Sequence, residues 1–440
     1  MSASASHEKS QKWSRADAGS GNLRPRHDPN IAPGSGRLPW LGIAPIFSAQ
    51  LMGTSRVPLR FRHVRGRFVP GNTVRLLHDG RQAFPAMLEA IAQARRQVLL
   101  EMYWFDSDEV GRQFAEALTN AHRRGVEVAV IYDSVGSIGA DRGMFAGLEA
   151  AGVHVLEYNP VAPWRRRFRL SFTRLSRRDH RKILVVDGTI GFTGGINLAR
   201  QWAPREEGGG GWRDDMMRIE GPAVTALSHC FHRVWHRHEL PPLLHLHARP
   251  VPSEPGQRLL PVRILGERYF RHRHEIAMDY AARVYAAKKT VYISNSYFVP
   301  DASVRRALCR AARRGVDVRV IVPAHSDVEP VKFAGRAQYE KLLMAGVRIY
   351  EWQDGMFHSK TAVIDGEWCT TGTFNFDYMS LHYNLEVNAS VLDAELSAEV
   401  ERSFCEDLNG SREVELRDVL SRSVSDRLVE AGFYRLRKFL

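Results

Sequence analysis

The sequence predicts an α/β fold present in two tandem copies. Helical spacing of apolar residues at 84–95 and 110–124 alternates with strand-like runs at 98–105 and 126–132. This alternation predicts strands covered by helices, with parallel pairing. A strand-like run at 291–298 repeats the first one in the second half of the chain. We therefore expect two domains, each a mixed, mostly parallel sheet flanked by helices, packed as a pseudo-two-fold pair.

Two further stretches support the duplication. Residues 312–321 (ARRGVDVRVI) match 122–131 (HRRGVEVAVI), and 345–350 (AGVRIY) match 151–156 (AGVHVL). The repeat is far longer than the 20–50 residues of a solenoid unit, so it indicates a duplicated domain.

Composition divides the 440-residue chain into five segments. The N-terminal segment is rich in Ser, Gly, Arg and Pro, with a short apolar patch, and we expect it to be disordered and basic. The segments are 1–72 (N-terminal segment), 73–240 (first domain), 241–260 (Pro-rich linker), 261–408 (second domain) and 409–440 (basic amphipathic tail). For the tail, packing on the domain and contact with a membrane remain two open interpretations.

The charge balance indicates an anionic partner. The chain has 62 Lys and Arg against 49 Asp and Glu, a formal net charge of +13. Nucleic acid and an anionic membrane surface both fit this excess. No apolar run is long enough to span a bilayer, and the four cysteines form no CxxC pair, so a zinc ribbon and a disulfide scaffold are disfavoured.

Each half also contains the pattern H-x-K-x4-D-G, followed by a G-x-x-N step whose glycine lies seven residues beyond the Asp. Two such matches in register with a domain repeat are not expected by chance. The motif residues are His180, Lys182 and Asp187 in the first half and His358, Lys360 and Asp365 in the second. The following steps contribute Gly195 and Asn197, and Thr373 and Asn375.

Strand geometry separates the roles within each motif. His and Lys are two residues apart, so on a strand they project from the same face. Asp187 and Asp365 lie an odd number of residues from their histidines, and we expect them to have structural roles. A catalytic histidine also needs an acid that fixes its tautomer. The candidates are Glu386 and Asp214, with Asp215 less favoured.

Two histidines, two lysines and two asparagines facing each other would form a phosphate site. The lysines supply positive charge to the non-bridging oxygens, and the asparagines donate hydrogen bonds to them. One imidazole can attack phosphorus while the other protonates the leaving alcohol. Because lysine supplies the charge, we expect neither a metal nor a cofactor.

The duplicated motif resembles the HKD signature of the phospholipase D superfamily, and within it the chain resembles bacterial cardiolipin synthases over about residues 73–408. The resemblance to cardiolipin synthases rests on four less specific stretches, GFTGGIN at 191–197, RIEGPAV at 218–224, YFVPD at 297–301 and NLEVN at 384–388. The resemblance implies a phosphatidyltransferase that makes cardiolipin from two phosphatidylglycerols through a phosphatidyl-histidine. By analogy His180 is the nucleophile, His358 the general acid, and Asp214 and Glu386 the acids that orient the imidazoles.

The chain departs from the family pattern at three places. The two N-terminal membrane-spanning helices of the longer synthases are absent, which implies the shorter, peripheral type at the cytoplasmic face of the bacterial membrane. Thr373 stands where Ser is frequent. The first half also has an insertion, residues 160–179, just before its motif, and residues 160–182 hold nine basic residues and one acidic residue. We expect it to contact anionic headgroups through Trp164, Arg165, Arg166, Arg167, Phe168 and Arg169.

Other functions remain open at this point. The same chemistry would serve a phospholipase D-type hydrolase, or a transferase that uses phosphatidylethanolamine or an alcohol as acceptor. A nuclease is disfavoured because the insertion suits a membrane better than a nucleic-acid groove, so no nucleic-acid partner is expected. A non-catalytic membrane-binding module is disfavoured because every motif position is filled. The oligomeric state and the order of the two histidines cannot be read from the residues.

Overall fold

The computed structural model describes residues 67–161, 176–238, 240–248, 258–266 and 274–439. Most of the predicted N-terminal segment lies outside these residues, as do residues 162–175 of the insertion, which include its six proposed membrane-contact side chains. Among the described residues, no helix is both long enough and apolar enough to cross a bilayer.

The first half contains seven strands and four α-helices in the described residues. They are β1 (Val69–His78), α1 (Asp79–Gln93), β2 (Gln97–Met102), α2 (Glu109–Arg123), β3 (Glu127–Asp133), α3 (Arg142–Ala150), β4 (His154–Tyr158), β5 (Ile183–Val186), β6 (Ile190–Gly194), β7 (Asp215–Glu220) and α4 (Val224–Trp235).

The second half repeats this order with additions. Its elements are β8 (Leu260–Gly266), α5 (Glu275–Ala286), β9 (Thr290–Asn295), α6 (Ala302–Arg313), β10 (Asp317–His325), α7 (Glu329–Arg336), α8 (Tyr339–Leu343), β11 (Arg348–Met356), β12 (Lys360–Ile364), β13 (Trp368–Gly372), α9 (Tyr378–His382), β14 (Val387–Leu392) and α10 (Ala394–Asn409). The tail adds β15 (Ser411–Glu413), α11 (Leu416–Leu420) and α12 (Val424–Leu436).

Sheet topology confirms the duplicated α/β fold. The strand order is β1-β7-β6-β5-β2-β3-β4 in the first half and β8-β14-β13-β12-β9-β10-β11 in the second. The strands correspond one to one in these two orders, so that β1 corresponds to β8, β7 to β14, and so on to β4 and β11. The halves join where β1 pairs with β8 in antiparallel register. The order therefore reads symmetrically outward from the junction, as a pseudo-two-fold pair requires.

Parallel pairing is less extensive than the sequence predicted. Between the named strands of the described residues it is confined to β2-β3-β4 and β9-β10-β11, and the other strand pairs are antiparallel. One antiparallel pair in each half, β5–β6 and β12–β13, follows from the Asp-Gly pair that ends each motif. Asp187 and Gly188 have φ of 51° and 68°, and Asp365 and Gly366 have φ of 55° and 64°. Positive φ at both positions is typical of a two-residue type I′ turn, which forms a hairpin instead of a crossover.

The two halves also share a hydrophobic core. Strands β6 and β7 lie against β13 and β14. Met217 and Ile219 on β7 belong to the same buried cluster as Cys369 on β13 and Ala389 on β14. Since burial of apolar surface is the main stabilising contribution in folding, this cluster holds the halves in a fixed relation. That relation determines the geometry of any site between them.

The predicted linker and tail both pack on the halves. In the linker, Leu243 and Leu246 are buried, and Gln97 donates a side-chain hydrogen bond to the Leu244 carbonyl at 2.7 Å. In the tail, β15 pairs with β11, and the ring of Phe433 on α12 stacks on Phe333 of α7 with centroids 5.7 Å apart. Of the two interpretations of the tail, the structure therefore shows packing on the domain for one face of α12.

Candidate active site

Backbone hydrogen bonds between the halves set the position of each motif histidine. The amide of His180 donates to the carbonyl of Leu385 at 3.1 Å, and the amide of His358 donates to the carbonyl of Arg213 at 2.8 Å. Each acceptor is followed in the chain by an acidic residue. The same short bridge thus occurs twice, once in each direction, and brings a histidine of one half beside an acid of the other.

Each imidazole is paired with that acid. Nδ1 of His180 lies 3.1 Å from both carboxylate oxygens of Glu386. Nδ1 of His358 lies 2.7 Å from Oδ2 of Asp214. All four side chains are buried. A carboxylate that accepts from Nδ1–H leaves Nε2 with a free lone pair, as a nucleophile or a general base requires.

The motif lysines are buried next to the histidines. Lys182 Nζ donates to the His180 carbonyl at 2.8 Å. Lys360 Nζ donates to Ser296 Oγ at 2.7 Å and lies 3.0 Å from Nδ1 of His358. Burial lowers the pKa of Lys182 to about 7 and that of Lys360 to about 8. A phosphodiester bound between them would favour their charged forms and raise both pKa values again.

The imidazoles share one electrostatic environment. Burial, and then the charge of Lys182, lowers the pKa of His180. Burial, and then Lys360, lowers the pKa of His358 well below its usual range, with Lys182 and His180 of the other half also contributing. The two motifs are therefore close enough for their charges to interact. Both imidazoles therefore favour the neutral form.

The G-x-x-N steps support the site in different ways. Thr373 Oγ1 donates to the Glu386 carboxylate. At the equivalent position, a Cβ built on Gly195 would overlap the carboxylate of Asp214, which instead accepts from Trp202 Nε1 at 2.9 Å. Only glycine leaves room for that acid.

The side-chain oxygens of the two asparagines accept hydrogen bonds within the protein. Asn197 Oδ1 accepts from the amide of Trp104 at 3.0 Å, and Asn375 Oδ1 accepts from Ser296 Oγ at 3.1 Å. The NH₂ group of each asparagine is then the end that can donate to a phosphate oxygen.

The motif aspartates lie at the other end of their strands from the histidines. The Asp187 carboxylate accepts from the amides of residues 95–97 at 2.8–3.0 Å. The Asp365 carboxylate accepts from the amides of residues 288–290 at 2.7–3.1 Å. Each carboxylate thereby fastens the start of β2 or β9 to the hairpin turn. The geometry places neither aspartate with the reacting groups.

Aromatic side chains that sequence reasoning missed line the site. The ring of Tyr103 lies 4.8 Å from that of His180. Around His358 the ring centroids of Trp202, Trp212 and Tyr297 lie at 5.3, 5.7 and 6.3 Å. Tyr103 lies just past the end of β2, so a closer reading of the repeat around the strand ends could have singled it out. No comparable repeat signal marks Trp202 or Trp212.

Comparison with known proteins identifies the family. The profile described as cardiolipin synthase, PLD-like domain, matches residues 87–235 and 280–408. The chain is 32% identical over 367 residues to the probable cardiolipin synthase YwiE of Bacillus subtilis, covering 83% of this chain and 71% of that one. It is 33% identical to the cardiolipin synthase of Geobacillus thermodenitrificans, covering 81% and 70%. The chain belongs to the cardiolipin synthase family. The resemblance inferred from the duplicated motif is thereby confirmed.

A solved structure supports the fold of this cardiolipin synthase family member. The phosphatidylserine synthase of Haemophilus influenzae matches with a TM-score of 0.67 at 12% identity, covering 86% of this chain and 98% of that one. At such low identity the match concerns the fold alone. Together with the PLD-like domain profile, which matches both halves, it supports the phospholipase D-like fold.

Proposed function

We propose that the protein is a phosphatidyltransferase that makes cardiolipin from two phosphatidylglycerol molecules and releases glycerol. The observation that carries the proposal is the crosswise pairing of two buried imidazoles with acids of the opposite halves, beside two buried lysines. This arrangement suits covalent catalysis on an anionic phosphodiester. Membership of the cardiolipin synthase family supplies the substrate class.

In the first step, Nε2 of His180 attacks the phosphorus of phosphatidylglycerol. A P–N bond forms and the P–O bond to glycerol breaks. Nε2–H of His358 gives its proton to the leaving oxygen, and protonated Asp214 returns one to Nδ1, so that the imidazole stays neutral. The lysines and the asparagine NH₂ groups stabilise the charge on the non-bridging oxygens. The products are free glycerol and a phosphatidyl-histidine.

In the second step, the terminal hydroxyl of another phosphatidylglycerol attacks the same phosphorus. Nε2 of His358 takes the hydroxyl proton while Nδ1 returns a proton to Asp214, and the P–N bond to His180 breaks. The proton that left with glycerol is thus replaced, and the enzyme returns to its starting state. Water in place of the second lipid would give phosphatidic acid.

One observation favours this order of the histidines. Burial raises the pKa of Asp214 to about 7. The pair of His358 and Asp214 therefore holds an exchangeable proton near neutral pH, where a general acid works best. His180 instead faces both oxygens of Glu386, which suits a fixed, neutral nucleophile.

We also propose that the protein binds peripherally to the anionic, cytoplasmic face of the cell membrane. Helix α12 exposes Val424, Leu428 and, just beyond its end, Phe439 at 75%, 67% and 65%. Arg427 and Arg435 are also exposed on α12. An exposed face that combines apolar and basic side chains is typical of interfacial helices.

The position of α12 links this surface to the site. Phe433 and Tyr434 on its other face pack against the buried cluster of Val299, Val331 and Ala334. Tyr297 packs against the same cluster, and its ring lies 6.3 Å from that of His358. A bilayer under α12 would thus lie on the side of the site that Tyr297 lines. The insertion with Arg165 and its neighbours, which lies outside the described residues, is proposed as a second contact.

The function is tested with purified full-length protein and phosphatidylglycerol vesicles in EDTA. We expect cardiolipin and free glycerol in equal amounts. Phosphatidic acid as the sole product would overturn the proposal in favour of a hydrolase. DNA cleavage without a lipid product would indicate a nuclease.

Membrane binding is tested separately by vesicle flotation. Leu428→Asp should weaken binding, and Ser in place of Arg165, Arg166, Arg167 and Arg169 should weaken it and reduce its salt dependence. Exposed Leu244, in the connecting segment beside the start of β2, gives the control Leu244→Asp. Unchanged binding in both test variants would refute the two proposed contacts.

A further inference from the structure

Three histidines form a cluster outside the active site. His232 lies on α4, His236 follows the end of that helix, and His245 lies in the segment that connects the two halves. One ring nitrogen from each lies within 4.8 Å of the others. The rings of His232 and His245 stack with centroids 4.1 Å apart. None of the three contacts the motif residues.

His232 has no satisfactory explanation as a core residue. Its side chain is 3% exposed, and neither ring nitrogen has a hydrogen-bond partner among the described residues. Burying an imidazole without a partner is unfavourable, because the ring loses its hydrogen bonds to water. The nearest polar groups able to explain its position are the other two imidazoles.

The spacing fits metal coordination. Nε2 of His236 lies 3.3 Å from Nε2 of His245. Two nitrogens bound to zinc at about 2.0–2.1 Å in a tetrahedral arrangement are about 3.3–3.4 Å apart. His232 and His236 are four residues apart, and such residues lie on the same side of a helix. Turning the ring of His232 out of its stack with the other two imidazoles would complete a three-nitrogen site.

We propose that His232, His236 and His245 bind a zinc ion or a similar transition metal, a site that goes beyond the proposed phosphatidyl transfer. Three imidazoles without a carboxylate favour Zn²⁺, Ni²⁺ or Cu²⁺ over Mg²⁺ or Ca²⁺. Water or another exposed group would complete the coordination. The ion would fasten the connecting segment to α4, which makes its role structural.

The location explains why such a cross-link would matter. The connecting segment packs on the first half through buried Leu243 and Leu246 before the chain enters the second half at β8. A metal ion bound by both His245 and α4 would link the connecting segment to this helix. The three histidines come together only in the folded protein, so the ion would bind the folded state. Metal binding then stabilises the fold by mass action.

The test uses untagged, full-length protein that has been stripped with a chelator and then dialysed against ZnCl₂. We expect about one zinc per chain by elemental analysis, and a rise in Tm on adding zinc. His236→Ala and His245→Ala change exposed side chains, so both variants should fold, lose the zinc and lose the rise in Tm.

His247→Ala is the matched control, because His247 is an exposed histidine of the same segment outside the cluster. It should keep both the zinc and the rise in Tm. Wild-type protein without zinc, or equal zinc in His245→Ala and wild type, would overturn the proposal. Cardiolipin formation in EDTA is an independent measurement, so either proposal can fail alone.

Discussion

The two histidine sites share a backbone frame and differ in the side chains that complete it. At His180, the acid is Glu386, and a threonine hydroxyl supports its carboxylate. At His358, the acid is Asp214, supported by the indole of Trp202 where the equivalent residue is a glycine. The inter-half hydrogen bond before each acid is the same in both. Duplication has kept the backbone geometry while the acid supports have diverged.

The lysines differ in the same manner. Nζ of Lys182 lies 5.0 Å from the centre of the Tyr103 ring, whereas Nζ of Lys360 hydrogen-bonds to Ser296. Tyr103 and Ser296 occupy equivalent places after β2 and β9. A site assembled from two nearly equal halves can thus give its histidines unequal proton affinities. That inequality lets one act as nucleophile while the other transfers protons.

Removal of either imidazole gives the largest expected effect. His180→Ala and His358→Ala should each lower turnover by at least about 10³-fold, because each removes a group used in both steps. Covalent labelling separates them. With phosphatidylglycerol labelled in its phosphate and an alkaline quench, His180→Ala should form no adduct, whereas His358→Ala should form one slowly.

The opposite labelling pattern would exchange the roles of the two histidines. Full turnover in both variants would remove them from the mechanism altogether. Wild-type protein should show a transient adduct that disappears when unlabelled phosphatidylglycerol is added.

Amide replacements of the two acids should give the next largest effect. Glu386→Gln and Asp214→Asn keep the shape but cannot hold the imidazole in the same tautomer, and we expect losses of about 10²–10⁴-fold. Their pH profiles should differ. Asp214, with a pKa of about 7, is protonated below neutrality and loses its proton above it.

In wild-type protein, turnover should therefore fall as the pH rises above about 7, because the general-acid pair loses its proton. Asp214→Asn removes that titration and should change this alkaline limb, whereas Glu386→Gln should keep it. The measurement is kcat against pH for all three proteins. Identical limbs in all of them would show that Asp214 does not set the proton supply.

Much of the fold and the motif residues could be predicted from the sequence because the two halves can be compared with each other. A pattern that occurs in both halves at the same spacing is not expected by chance. The histidines and the lysines were identified from matching spacings, whereas Glu386 and Asp214 were candidates from the residues downstream and from the family resemblance. The odd offset of Asp187 from His180 also indicated its position away from the reacting groups. These inferences need only strand periodicity and repeat register, which are local properties.

The crosswise pairing could not be predicted, because it depends on how the halves pack. Which acid meets which imidazole is determined by bridges between Leu385 and His180 and between Arg213 and His358, which are far apart in the chain. The type I′ turn at Asp187 was present as an Asp-Gly signal and was overlooked, so parallel pairing was overestimated. Trp202 depends on tertiary packing alone.

Disturbing the residues that support the two acids should have a moderate effect on turnover. Gly195→Ala should lower turnover by about 10–100-fold, because the added methyl group displaces the Asp214 carboxylate from His358. Thr373→Ala should cost about 10-fold, because a buried carboxylate loses one hydrogen bond. Thr373→Ser keeps the hydroxyl and should restore turnover. Equal turnover in wild type and Gly195→Ala would show that the Asp214 carboxylate does not need a glycine at this position.

The smallest effect on catalysis is expected where the two halves are most alike. Asp187→Asn and Asp365→Asn each replace a carboxylate that accepts from three consecutive backbone amides. An asparagine has one acceptor oxygen, so each variant should lose about 1–3 kcal/mol of unfolding free energy. We expect similar decreases in Tm for both and nearly unchanged turnover per folded molecule at 25 °C. A loss of turnover as large as that of the histidine variants, at unchanged Tm, would instead show that these aspartates take part in the chemistry. A decrease in Tm in only one of the two variants would show that the two hairpins are not equivalent.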